Sequence, residues 1–171
     1  MLRIPLNHKL PTASWKARPP SLVRKAVGPM SDTRLPPVRF ARTVLLVDAF
    51  KEDREYWAQR LHVSAPNYVV LEADSGEAAL AICQTQRVDC VILEMNLPDM
   101  SGFGLLIKFV PRARYPEMAV VMLSRVDLES MAQLARDNGA QAFLVKHHAS
   151  GDQLSLAVHK AIATVALKRS A

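Results

Sequence analysis

From residue 43 onward, short apolar runs alternate with segments whose apolar residues recur three or four apart. The runs fall at 43–48 (TVLLVD), 68–73 (YVVLEA), 89–94 (DCVILE), 118–124 (MAVVMLS) and 141–146 (QAFLVK). They are largely continuous rather than alternating, as expected of strands covered on both faces. Between them the spacing predicts helices over 51–62, 78–86, 103–110, 127–138 and 151–167. In the first, Tyr56, Ala58 and Leu61 are expected to face inward. The second is entered through the turn Asp74-Ser75-Gly76-Glu77, and the third follows a loop holding Pro98 and Gly102. Gly139 is a fitting stop for the fourth. Leu154, Ala157, Val158, Ala161, Ile162 and Val165 line one side of the fifth. Five strands alternating with five helices predict an α/β domain: a parallel sheet, right-handed crossovers and helices on both faces. Such sheets bind ligands at the carboxyl ends of their strands, near the switch in strand order.

Residues 1–42 show neither period and hold seven of the eleven prolines. Proline removes backbone donors and disfavours helix upstream. The segment is therefore expected to be a disordered basic tail, or an extension upstream of a true start at Met30. An organelle-type leader and a charge-driven tether to nucleic acid are the other readings. The net charge of +6 is uneven: 1–42 carry nine basic residues against Asp32, a balance of +8, which leaves −2 for 43–171. Nucleic-acid binding by the folded part is thus not expected. The domain is placed at 43–167 and a short C-terminal tail at 168–171. No apolar run approaches the length of a membrane span, so a cytoplasmic protein is expected. Cys83 and Cys90 sit in apolar surroundings and read as buried, reduced thiols.

Four strands end in a polar residue: Asp48, Glu94, Ser124 and Lys146. Parallel packing brings these ends to one edge, where two carboxylates, a hydroxyl and an ammonium converge. The set suits phosphoryl transfer to a carboxylate. A hard cation such as Mg²⁺ needs one or two carboxylates, lysine pairs with the anion, and a hydroxyl can bond a phosphoryl oxygen.

The chain here resembles the receiver domain of two-component response regulators, the CheY-like fold. The resemblance rests on LLVD at 45–48, E-M-N-L-P-D-M-S-G at 94–102, VMLS at 121–124, Gly139-Ala140 and LVK at 144–146. It implies a doubly wound, flavodoxin-like sheet in the order 2-1-3-4-5. It also implies Asp48 as one of an acidic pair supporting Mg²⁺, Asn96 as a backbone-carbonyl ligand, Ser124 as the switch hydroxyl, Phe143 as the switch aromatic and Lys146 as the phosphate-contacting lysine. Glu94 stands at the phosphoacceptor position, where the family has aspartate, and could itself contribute to the metal site.

Four departures shape the functional expectation. Glu94 adds a methylene, and misplacement by about 1 Å can cost on the order of 10²-fold in rate. Ala49 replaces the second acid, which weakens Mg²⁺ binding. His147 replaces the usual proline after Lys146, so the loop there is expected to run differently. Arg125 is larger than the usual residue after the switch hydroxyl and is expected to cover the pocket. The leading expectation is a non-enzymatic pseudo-receiver in which Glu94 pairs with Lys146 and supplies a fixed negative charge. It would act through protein contacts in trans, with a histidine kinase or another signalling protein, or as a homodimer through helix four, strand five and helix five. The alternatives are a working phosphoacceptor, on Glu94 or a neighbour such as Asp99, and a small α/β enzyme or nucleotide binder. The last lacks a GxGxxG or P-loop turn. The His147-His148 pair and Met95, Met100, Met118, Met122 and Met131 are expected to be ordinary, and Trp57 to face the core.

Overall fold

A computed structural model describes residues 41–170. The basic segment's expected disorder lies outside the described residues, apart from Ala41 and Arg42. The strands are β1 (Arg42–Val47), β2 (Tyr68–Ala73), β3 (Cys90–Leu93), β4 (Ala119–Ser124) and β5 (Ala142–Val145). The helices are α1 (Lys51–Ser64), α2 (Gly76–Thr85), α3 (Gly102–Phe109), α4 (Glu129–Asp137) and α5 (Gly151–Ser170). All strand pairs are parallel, in the order β2-β1-β3-β4-β5. No helix among the described residues is long and apolar enough to cross a membrane.

Strand alternation divides the core into two layers. Val44 and Leu46 of β1 point to one face with Ile92, Val121 and Leu123, where Trp57 and Leu61 of α1 and Leu154 and Val158 of α5 cover them. Leu45 and Val47 point to the other face with Val91, Leu93 and Met122, under Ala79 of α2, Leu105 and Leu106 of α3 and Ala135 of α4. Burying one such aliphatic side chain contributes about 1.5–3 kcal/mol. The apolar core is built from these residues and not from the polar strand ends.

Local signals set the helix ends. Ser75 caps α2 by accepting from the Ala78 amide, and Ser101 caps α3 by accepting from the Gly104 amide. Gly139 closes α4 with φ +94°, and a Cβ there would lie 2.6 Å from Val110 Cγ1.

Three expectations are corrected. Tyr56 faces outward, 46% exposed, while Trp57 and Leu61, four apart, form the buried stripe of α1. Arg42 is the first residue of β1 and pairs with Asp89. Helix α5 runs through Lys168 and Arg169 to Ser170, three residues past the expected end. Two cations in its last turn favour the helix dipole, and Arg169 donates to the Glu117 carbonyl.

Candidate functional site

The sheet ladder carries the polar strand ends to one edge. The Glu94 amide donates to the Val47 carbonyl at 3.0 Å, and the Lys146 amide to the Ser124 carbonyl at 2.8 Å. Asp48 and Glu94 thus flank the junction of β1 and β3, where the strand order reverses. Asp48, Glu94 and Ser124 are buried, at 1%, 3% and 0% exposure.

Lys146 is the centre of the site. Its ammonium hydrogen-bonds Asp48 Oδ2, donates to Asp53 Oδ2 at 2.7 Å, and lies 2.6 Å from Glu94 Oε2. The Glu94 contact is an ion pair outside hydrogen-bond alignment. It leaves Oε2 as the buried side-chain oxygen without a hydrogen-bond donor among the described residues. Burial works against the lysine's charge, but the hydrogen bonds to Asp48 and Asp53 and the ion pair with Glu94 outweigh it and raise its pKa.

Glu94 also folds back on its own loop. Its Oε1 accepts from the Met95 amide at 2.6 Å, the Asn96 amide at 3.4 Å and the Ser124 hydroxyl at 3.2 Å. The extra methylene lets the carboxylate curl onto the amides that follow it. Ser124 Oγ accepts in turn from the Val126 amide at 3.1 Å, tying Glu94 to the β4–α4 loop. Gly102 makes this crossing possible: a Cβ there would lie 2.2 Å from the Glu94 carbonyl oxygen.

Asp53 belongs to the site and was not expected from the sequence. It sits in the first turn of α1, whose N-terminus abuts the strand ends, and helical side chains lean toward that end. It returns a second acid where Ala49 removes one. Burial opposes its ionisation, but hydrogen bonds from Lys146 and Arg125 hold its carboxyl below the usual range. Arg125 reaches Asp53 Oδ2 through Nη2 at 2.9 Å and Nε at 3.1 Å, and stacks 4.2 Å over the Phe50 ring. The expected cover over the pocket is therefore present as a latch between α1 and the β4–α4 loop. Arg54 braces the other side, donating to the Asp48 and Ala49 carbonyls. Asp48 Oδ1 accepts from the Phe50 amide at 2.9 Å, which fixes its remaining oxygen toward Lys146.

The donor chemistry fits a hard divalent cation. Asp48, Asp53 and Glu94 offer three carboxylates, and Glu94 Oε2 has no hydrogen-bond donor. These residues would hold Mg²⁺, in competition with the Lys146 ammonium for the same oxygens.

The other expected residues lie as follows. Asn96 is exposed in the loop after Glu94. Phe143 is half-buried in β5 against the core, and borders a groove of about 450 Å³ with Leu144, Leu156 and Lys160. Asp99 caps α2, accepting from the Gly76 amide at 2.9 Å and the Glu77 amide at 2.8 Å. The bond from Gly76 leads the causes that hold its carboxyl below the usual value. Lys146–His147 is a trans bond, and the loop there is a turn in which the His148 and Ala149 amides both donate to the Val145 carbonyl. Cys90 is fully buried in β3, whereas Cys83 is half-buried on α2, short of the full burial expected.

A doubly wound sheet with an acid after β1, an acid after β3, a hydroxyl ending β4 and a lysine after β5 defines the CheY-like receiver class. The chain belongs to the response regulator receiver domain family: residues 44–159 match the family model described as "Response regulator receiver domain". It is 37% identical over 117 residues to the transcriptional regulatory protein UhpA of Escherichia coli strain K12, covering 68% of this chain and 57% of UhpA. It is 31% identical over 122 residues to the response regulator protein FleR of Pseudomonas aeruginosa, covering 71% of this chain and 25% of FleR. The chain thus spans little more than half of the first relative and a quarter of the second. Among solved structures, a receiver domain protein from Clostridium thermocellum matches with TM-score 0.61 and 29% identity, covering 74% of this chain and 98% of that one. The chemotaxis response regulator CheY4 of Vibrio cholerae matches with TM-score 0.61 and 27% identity, covering 70% and 98%. Receiver domains of two-component systems interact with histidine kinases or other signalling proteins.

Proposed function

We propose that this receiver domain is a pseudo-receiver, which signals through protein contacts with Glu94 as its standing negative charge. One observation carries the reading. The Glu94 carboxylate engages the Lys146 ammonium, the Ser124 hydroxyl and the Met95 and Asn96 amides together. These are the groups that would otherwise stabilise an incoming anion. The partner is a histidine kinase or another signalling protein, met on the face of α4, β5 and α5. Leu134 and Leu156 are exposed there, and a second copy of the chain could use the same face.

The test is incubation of the full chain with a small-molecule phosphodonor and Mg²⁺, followed by intact-mass spectrometry. The wild type is expected to stay unmodified, while Glu94→Asp gains a phosphoryl adduct. A stoichiometric adduct on Glu94 itself overturns the reading.

A second reading keeps phosphotransfer, and Asp53 is the observation that favours it, since it restores a second carboxylate beside Asp48. Titration with Mg²⁺ separates the two. Saturable quenching of the buried Trp57, together with the adduct, supports the phosphoacceptor.

A further inference from the structure

We propose that Asp127, His147 and His148 form a site for a borderline divalent transition metal, of which Zn²⁺ is the probe. The site is separate from the carboxylate pocket and goes beyond the pseudo-receiver reading.

The fold makes neighbours of these three residues. Asp127 lies in the β4–α4 loop, three residues after Ser124, and the histidines follow Lys146 in the β5–α5 loop. Consecutive side chains on a strand point to opposite faces, so two adjacent histidines seldom share a ligand. Here the chain has left β5, and the Val145 carbonyl accepts from both the His148 and Ala149 amides. That curl brings the two imidazoles to a centroid distance of 4.2 Å, with planes at 66°. One ligand atom from each of the three residues lies within 4.8 Å of the other two. His148 Nδ1 and Asp127 Oδ2 are already 3.6 Å apart. A tetrahedral Zn²⁺ with bonds near 2.0–2.2 Å sets its ligand atoms about 3.3 Å apart. The remaining closure falls to three exposed side chains.

The donor set selects the class of ion. Two imidazoles and one carboxylate suit Zn²⁺ and its neighbours, whereas an all-oxygen set suits Mg²⁺. Three protein ligands also leave a fourth position open to water or to a side chain of a second protein. All three residues are exposed, so an ion can enter from solvent. The consequence is mechanical. One ligand comes from the loop that carries Ser124 and Arg125, and two from the loop that follows Lys146. A bound ion would clamp together the two segments that frame the pocket.

The experiment is calorimetric titration of the chelator-treated full chain with Zn²⁺, in excess Mg²⁺ as a competitor for all-oxygen ligand sets. Asp127→Asn, His147→Ala and His148→Ala are run in parallel, with circular dichroism to show that each is folded. One Zn²⁺ per chain is expected, with affinity falling about tenfold or more in each variant, at least the loss that follows from removing a mere outer-shell partner. Hydrogen exchange at 125–129 and 147–150 is expected to slow on adding Zn²⁺, and not in the His147→Ala/His148→Ala double variant. No binding, displacement by Mg²⁺, or an affinity that any one variant leaves unchanged overturns the three-ligand site.

Discussion

The Asp53 carboxylate lies 2.7 Å from the Lys146 ammonium, although 93 residues separate them along the chain. Asp53 also receives Arg125, whose guanidinium rests on Phe50. A single acid on α1 therefore connects the lysine after β5, the loop after β4 and the aromatic after β1. The next residue past Asp48 is Ala49, so the acid beside it arrives from a helix turn and not from the strand.

Asp53→Asn is expected to destabilise the domain by about 1 kcal/mol at neutral pH, since the pair is partly screened by water. A depressed carboxyl contributes stability above its unfolded value and loses it as pH falls through its folded value. The difference between wild type and variant should therefore hold from pH 7 to about 5 and close below about 4. Urea unfolding across that range measures it, and a gap that widens on acidification contradicts the assignment.

Lys146→Met leaves Asp48, Asp53 and Glu94 facing one another without their cation, at an expected cost of about 3–5 kcal/mol. The raised lysine pKa means its contribution is complete below the unfolded value, about 10.4, and is lost only as pH rises through the higher folded value. Urea unfolding of wild type and variant at neutral pH measures the loss, and the gap should narrow as pH rises through the lysine's folded value. Added Mg²⁺ should stabilise the variant more than the wild type, because the ammonium no longer competes.

Ser124→Ala removes a fully buried hydroxyl that donates to Glu94 and accepts from the Val126 amide. Stranding that amide should cost about 1–3 kcal/mol. The readout is residue-specific: hydrogen exchange at Val126 accelerates while the amides of β3 keep their protection.

At Gly102 a methyl group would meet backbone, the Glu94 carbonyl oxygen at 2.2 Å and Met95 Cα at 2.8 Å. Neither can rotate aside. Gly102→Ala should lower stability by about 1–3 kcal/mol and shift the Ser124–Glu94 contact. Chemical denaturation and the amide resonances of Met95 and Asn96 check it.

The sheet and the four strand-end residues were legible because β3 and β4 are apolar throughout and stop abruptly at Glu94 and Ser124. The facing of α1 was not. Tyr56 and Trp57 differ by about 100° around a helix, and the packing selects Trp57 with Leu61. Asp53 was hidden for a different reason. An acid in the first turn of a helix is ordinary, since it favours the dipole, and Lys51-Glu52-Asp53 reads as a solvated start. The signal that points to it is indirect, namely the gap at Ala49 beside a helix whose first turn leans back over that gap. The Asp127–His148 contact joins two loops whose separation in sequence carries no pattern at all.

The two cysteines have a use that their burial creates. Burial pushes both thiols upward, and Cys90, wholly enclosed in β3, far more than Cys83 on α2. A thiol reagent attacks the thiolate and needs access. Cys83 is therefore expected to react with a thiol reagent well before Cys90, which should react only when the sheet itself comes apart. The chain carries two internal clocks, a fast one on a helix and a slow one for the loss of the whole fold.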